Sequence, residues 1–393
     1  MPVISIEELK QAVVGGRVGA ISIDTSVVER HQYGFESGVL AKMSQFSRAN
    51  TTHLALDIVL HEMRSHLTKE ADLVRSQVKN ALKPLGNSWG IDKDARAEAL
   101  RFLFGDQSGD ARTEERLQEF LDDSSATVLT CAEFVGLPEV LSRFVETKPP
   151  FGNKEAKKHE FPDAIALLSL EGWAIKNDTT VIAVSSDGDW KRFCSESDRV
   201  YYVDDLAHAL SVFQAGADDA AALFKAMLGN GKIEELDAIV LDAIAAQSDK
   251  ISIDFEAAAN WYYEAELDQV EVSSETPLAD QIKAFDVVEY EDDTLVLQTS
   301  LTIDVTAHFI ASFQHWDSID REYIGMGSAT VSQTEALDLD LIITVLFDNG
   351  SATIDSVELL PASTTMDFGE IEPDWMSDSG DEPDEDGPGQ GRP

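Results

Sequence analysis

Val181, Ile182, Ala183 and Val184 form an unbroken apolar run inside the stretch TTVIAVSSDGDWKRFC, Thr179 to Cys194. A strand with one wet face alternates apolar and polar residues. A run without alternation therefore predicts a strand buried on both faces, as in a parallel sheet covered by helices. In open α/β sheets of this kind the carboxyl ends of the strands face the crevice where ligands bind. This run ends at Ser185 and Ser186, and Asp187 and Asp189 follow on either side of Gly188. Asp-Gly is also an ordinary turn pair, so these acids acquire meaning only if others converge on the same place.

Others are arranged to do so. Arg17 to Ile23, RVGAISI, is a second short apolar strand, and it ends at Asp24 in IDTSVV. His53 to Leu60, HLALDIVL, is a third apolar segment and runs into LHEMRSHL, where Leu60, Met63 and Leu67 share a helical face with Glu62 beside it. Residues 69–123 are helical and highly charged, which predicts a helical insertion packed on one side of the sheet. Ala126 to Thr130 reads as a further strand and LPEVLSRFV as a helix. Pro149 and Pro150 cannot continue that helix, and Gly152 to His159 read as an exposed basic loop carrying Lys154, Lys157 and Lys158. Pro162 suits the first turn of a new helix, which also contains Asp163. The helix dipole alone would favour an acid there.

This order of elements implies an α/β fold with Asp24 and Asp187 at strand ends and Glu62 and Asp163 on covering helices. Four carboxylates in close quarters cannot all stay ionised without a cation. Oxygen ligands without His or Cys select hard divalent ions, Mg²⁺ or Mn²⁺, over zinc. Such ions can activate a water and stabilise charge on a phosphodiester, so metal-assisted phosphodiester hydrolysis is the reaction class expected.

At these residues the chain resembles the PIN domain, a metal-dependent nuclease fold, over about residues 18–213. The matching pieces are IDTSVV, VLHEMRSHL, EFPDAIALLSL and VAVSSDGDWKRF, and the chain is most similar to larger members with a helical insertion. The resemblance implies a parallel sheet flanked by helices and a catalytic set Asp24, Glu62, Asp163 and Asp187. It implies Asp24, Asp163 and Asp187 as direct ligands of Mg²⁺ or Mn²⁺, Glu62 as a ligand or water-orienting base, and Asp189 as a supporting acid at the rim. Thr25 and Ser186 could orient a carboxylate or phosphate through their hydroxyls. Lys154, Lys157, Lys158, Lys191 and Arg192 are read as the basic residues nearest the proposed cleft and could hold a nucleic-acid backbone, or simply form solvated surface. His61 and His66 flank Glu62, but with no third soft ligand in evidence they read as surface histidines. By analogy with the family, RNA is expected as substrate in preference to DNA, and a toxin or defence role and a homodimer are compatible with it. The alternative is a catalytically silent PIN-like scaffold that binds nucleic acid or protein. A haloacid dehalogenase-type phosphatase would want a second Asp two residues after Asp24, where Ser26 stands.

Charge divides the chain. The net charge of -43 is concentrated in residues 215–393, with 40 acids against 6 bases, whereas residues 1–214 hold 33 against 24. Residues 1–214 are read as the nuclease domain and 215–249 as a helical connector. Residues 250–370 are read as an acidic, antiparallel β-rich domain and 371–393 as a disordered acidic tail. The period-2 alternation of Leu339, Leu341, Ile343, Val345 and Phe347 marks antiparallel strands with one wet face, and Asp348 to Gly350, DNG, marks a hairpin turn. Trp261, Tyr262, Tyr263 and Trp316 are expected in the core. A strongly negative surface repels nucleic acid, which leaves self-inhibition of a basic cleft, binding of a basic regulatory protein, or solubility as its uses. Two cysteines, Cys131 and Cys194, suit a reduced cytoplasmic protein, and no run of about 18 apolar residues predicts a membrane span.

Overall fold

The computed structural model describes residues 5–152, 160–233, 235–319, 321–348 and 350–377. The chain divides into two compact units. The first comprises Met1–Lys232, Ala284–Thr299 and Ile342–Ser356; the second comprises Ile233–Lys283, Ser300–Leu341 and Val357–Pro393. The chain thus returns to the first unit twice after residue 232, where the charge pattern alone suggested one cut near residue 214.

The first unit is built on a five-stranded parallel sheet in the order β3-β2-β1-β4-β5. Its strands are β1 (Val18–Ile23), β2 (Thr52–Leu56), β3 (Thr127–Leu129), β4 (Thr180–Val184) and β5 (Val200–Val203). The two runs that lack alternation, in β1 and β4, lie side by side in the middle of the sheet, with Ile21 opposite Ile182 and Ile23 opposite Val184. Both are buried as that position requires: Ala20, Ile21, Val181, Ile182, Ala183 and Val184 are fully inaccessible. The sheet direction changes at this pair, because the chain winds outward through β2 and β3 on one side and through β5 on the other. In such a sheet the carboxyl ends of the two central strands flank the crevice.

Helices cover the sheet. The helix Asp57–Ala81 starts directly after β2 and runs 25 residues without a break, so Glu62 and the first part of the charged insertion share one rod. The rest of the insertion is the short turn Leu85–Ser88 and the helices Lys93–Phe104 and Gly109–Asp123. The helix Phe161–Lys176 is the most apolar of this unit, buried at Ala164, Ala166, Leu167, Leu168, Leu170 and Ala174. Its Gly172 passes so close to the segment before the Leu137–Glu146 helix that a Cβ there would stand 2.7 Å from the Phe134 carbonyl oxygen. Later in the chain, β8 (Asp286–Glu291) pairs antiparallel with the start of β9 (Thr294–Asp317) through a two-residue turn. Both turn residues, Asp292 and Asp293, have positive φ, as the primed hairpin turns require.

In the second unit β6 (Ile251–Ala258) pairs with β12 (Ala362–Glu370), and β7 (Tyr262–Ser273) pairs antiparallel with β9. β9, β10 (Glu322–Asp348) and β11 (Ser351–Leu359) each contribute residues to both units. The β6–β12 pair is parallel, which alternation along each strand does not report. A parallel pair needs a long connection, and here more than a hundred residues separate the two strands. Trp261 and Tyr263 pack on a core of Ala311, Phe313, Ala329 and Ile371 as expected. Tyr262 and Trp316 do not: they are 52% and 48% exposed, Tyr262 because it lies on the opposite face of β7 from Tyr263. Asp374–Ser377 forms one helical turn within the stretch read as tail, and residues 378–393, like Asn349 of the DNG turn, lie outside the described residues.

Candidate functional site

Each candidate acid is placed by a different element at the carboxyl edge of the sheet. Asp24 follows β1 immediately and caps the short helix Thr25–Arg30. Asp187 follows β4 by three residues and caps the helix Gly188–Glu196, accepting from the Asp189 backbone N–H at 2.8 Å. Glu62 lies in the second turn of the Asp57–Ala81 helix and Asp163 in the first turn of Phe161–Lys176.

Asp24 is only 6% exposed, and both its oxygens are engaged. Oδ1 accepts from the Thr25 N–H at 2.7 Å, and Oδ2 accepts from the hydroxyls of Ser26 at 2.6 Å and Ser185 at 2.7 Å. The Thr25 hydroxyl donates to Glu62 at 3.1 Å, linking the first two acids. Asp163 accepts from the buried Trp190 indole N–H at 2.9 Å. All these donors are neutral. The carboxylates are positioned without having their charge cancelled.

The electrostatics follow. Burial raises the Asp24 carboxyl, the three hydrogen bonds oppose it, and the charge of Glu62 adds to the rise. Burial first, and then the charges of Asp24, Asp187 and Glu62, push Asp163 up to about 7, against the lowering effect of the Trp190 hydrogen bond. That all three act on Asp163 brings the four expected acids into one electrostatic cluster. Among the described residues, no three His, Cys, Asp or Glu side chains stand around a single point in metal-ligand geometry. The donor set, carboxylate oxygens with no soft ligand, fits a hard divalent cation.

The remaining candidates divide. Asp189 forms an ion pair with Arg192 one helical turn on, and burial together with the neighbouring Asp187 raises its carboxyl despite that partner. Thr25 engages a carboxylate through its hydroxyl, as expected. Ser186 is exposed, and the hydroxyl that holds Asp24 belongs to Ser185, fully buried just after β4. Lys191 lies over the Tyr202 ring at 5.8 Å, and Arg192 also donates to the Pro150 carbonyl at 3.2 Å. Lys154, Lys157 and Lys158 lie outside the described residues. His66 pairs with Glu29, away from any soft ligand set. Ser185 and Trp190 went unassigned in the sequence, although both were visible within the SSDGDW stretch; nothing in linear order says which acid a hydroxyl or indole will meet.

The family comparison agrees with the geometry. No curated protein and no solved structure matches the chain. Among the described residues no helix is long and apolar enough to cross a membrane. A family model of the PIN domain matches residues 21–190, which reach from β1 to Trp190 and so take in all four clustered acids. PIN domains are in general a nuclease fold and typically use divalent metals. Residues 21–190 of this chain are a PIN domain.

Proposed function

We propose that the chain is a Mg²⁺- or Mn²⁺-dependent endonuclease that hydrolyses phosphodiester bonds, acting on RNA in preference to DNA. The observation that carries the reading is the convergence on Asp163: burial, and then the charges of Asp24, Asp187 and Glu62, hold its carboxyl up at about 7, and only neutral donors fix Asp24 and Asp163. Keeping such a cluster is costly to the fold unless a cation joins it.

Asp24, Asp163 and Asp187 would hold the ion, with Glu62 as a further ligand or as the group that orients water. When bound, a divalent ion lowers the pKa of its water and withdraws charge from the phosphate oxygens. The chain's own residues set up that chemistry. Ser26, Ser185 and the Thr25 N–H fix the Asp24 carboxylate, so its direction does not have to be found during binding. Trp190 does the same for Asp163. Asp163 has to release a proton before it can ligate, so occupancy rises with pH through about 7. Lys191, lying over the Tyr202 ring, is a cation near the cluster able to meet the substrate backbone.

The test is cleavage of labelled single-stranded RNA and DNA by the full chain with Mn²⁺, Mg²⁺ or chelator, beside Asp163→Asn. Metal-dependent cutting, lost by about a hundredfold or more in the variant, is expected, because a ligand that acts in the transition state is removed. Cutting that survives chelation or the substitution would overturn the reading.

A further inference from the structure

Beside the carboxylate cluster the first unit has a second feature that the hydrolytic reading does not use. A cavity of about 430 Å³ is bounded by Pro149 and Phe151 on one side and by Glu160, Asp189 and Arg192 on the other. Its apolar wall is firmly backed, because the Phe151 ring packs on Phe144 at 5.4 Å and on Phe161 at 5.1 Å. Its charged wall is fixed as well. The Arg192 guanidinium is held between the Asp189 carboxylate and the Pro150 carbonyl, so it is a planar surface of set orientation.

The charge in this cavity decides what can enter. Among the described lining residues Asp189 and Arg192 pair with each other, which leaves Glu160, 9% exposed and held by the Gly152 N–H at 2.9 Å. A phosphate would meet that carboxylate and be repelled. A flat, neutral group with N–H donors would instead lie against the guanidinium plane and donate to Glu160, which has lone pairs left beyond the one Gly152 uses. Among the nucleobases, guanine presents two adjacent donors, N1–H and the 2-amino group, to a carboxylate. Adenine, cytosine and uracil each set an acceptor beside their donor, and that acceptor faces the second carboxylate oxygen. The cavity is next to the cluster: Asp189 stands two residues after Asp187 and donates its backbone N–H to that carboxylate.

We propose that this cavity is a nucleobase subsite in which Glu160 reads the donor edge of guanine next to the scissile phosphate of a single strand; the placement relative to a scissile phosphate rests on the nuclease reading above. The test separates the two. The full chain carrying Asp163→Asn is titrated in Mg²⁺ against fluorescently labelled UUGUU and UUUUU, and against the same pentamer with inosine, which lacks the 2-amino group. Binding of UUGUU about tenfold tighter than UUUUU is expected, with inosine between, and a ratio near one after Glu160→Gln in a variant that keeps its melting temperature. Equal binding of guanine, inosine and uracil oligomers overturns the subsite whatever the protein variant does, and so does a guanine preference that survives Glu160→Gln. Cut-site mapping of a mixed-sequence RNA by the unmodified chain then tells the readings apart. Cutting without guanine next to the cut sinks the subsite alone, whereas guanine-dependent binding without any cutting sinks the nuclease and leaves the subsite standing.

Discussion

Asp163 concentrates the physical conflict in this molecule. Its folded carboxyl titrates near 7, above the ordinary value of 3.8, so between these pH values the native state binds a proton that the unfolded chain has released. The contribution of this group therefore falls as pH rises from about 4 to about 7 and stays low above that. Replacing it by Asn keeps an acceptor for Trp190 and removes the buried charge. Asp163→Asn is expected to raise metal-free stability at pH 8 by on the order of 2 kcal/mol, read by urea unfolding in chelator, while abolishing cleavage. An unchanged or lower unfolding midpoint would show that the four carboxylates are not in conflict. Trp190→Phe removes the one hydrogen bond that lowers Asp163, so the pH of half-maximal metal-dependent cleavage is expected to move upward in the variant.

Elements meet at equally specific points. On the Phe161–Lys176 helix, Ala at position 172 would improve helix propensity by about 1 kcal/mol, but its methyl would stand 2.7 Å from the Phe134 carbonyl oxygen. The steric cost wins, because the obstacle is backbone: Gly172→Ala is expected to lower stability by about 1–3 kcal/mol in thermal or urea unfolding. On β2, His53 is fully buried against Ser124, and burial holds its imidazole down at about 4. The unfolded chain takes up that proton near 6.5, so the His53 contribution is complete above 6.5 and is lost as pH falls from 6.5 to about 4. This slope is opposite to that of Asp163 over the same interval. The unmodified protein is expected to show a shallow stability profile between pH 4 and 6.5, and Asp163→Asn to expose a steeper acid loss, as measured by unfolding midpoints across that range.

For the molecule as a whole the decisive quantity is charge. The second unit carries 31 acids against 4 bases, and the first carries 42 against 26, so neither is a basic surface on average. Any grip on a nucleic-acid backbone has to be local. The five expected contacts, Lys154, Lys157, Lys158, Lys191 and Arg192, would release counterions worth a slope of at most about -3.5 in log affinity against log salt for a single strand. A steeper measured slope would mean that RNA binds through a surface other than the rim of the cluster.

What could be read from linear order was whatever a single run of residues decides by itself. The unalternating VIAV and RVGAISI segments announce buried parallel strands because no wet face is available to them, and the acids that follow them therefore fall at a carboxyl edge. The IDTSVV, VLHEMRSHL, EFPDAIALLSL and SSDGDW stretches were enough to mark the PIN domain that the family model matches over residues 21–190. Other facts depend on which elements become neighbours. Ser185 rather than Ser186 holds Asp24 because β4 lies directly beside β1 and turns residue 185 inward. Trp190 serves Asp163 because one helix start lies against another. β6 and β12 pair in parallel across more than a hundred residues, and Tyr262 faces outward while Tyr263 faces the core. Period and composition describe a residue's own strand or helix, whereas hydrogen-bond partners, desolvation and the charge of neighbours are set by packing between distant segments. Those were decided only when the chain folded.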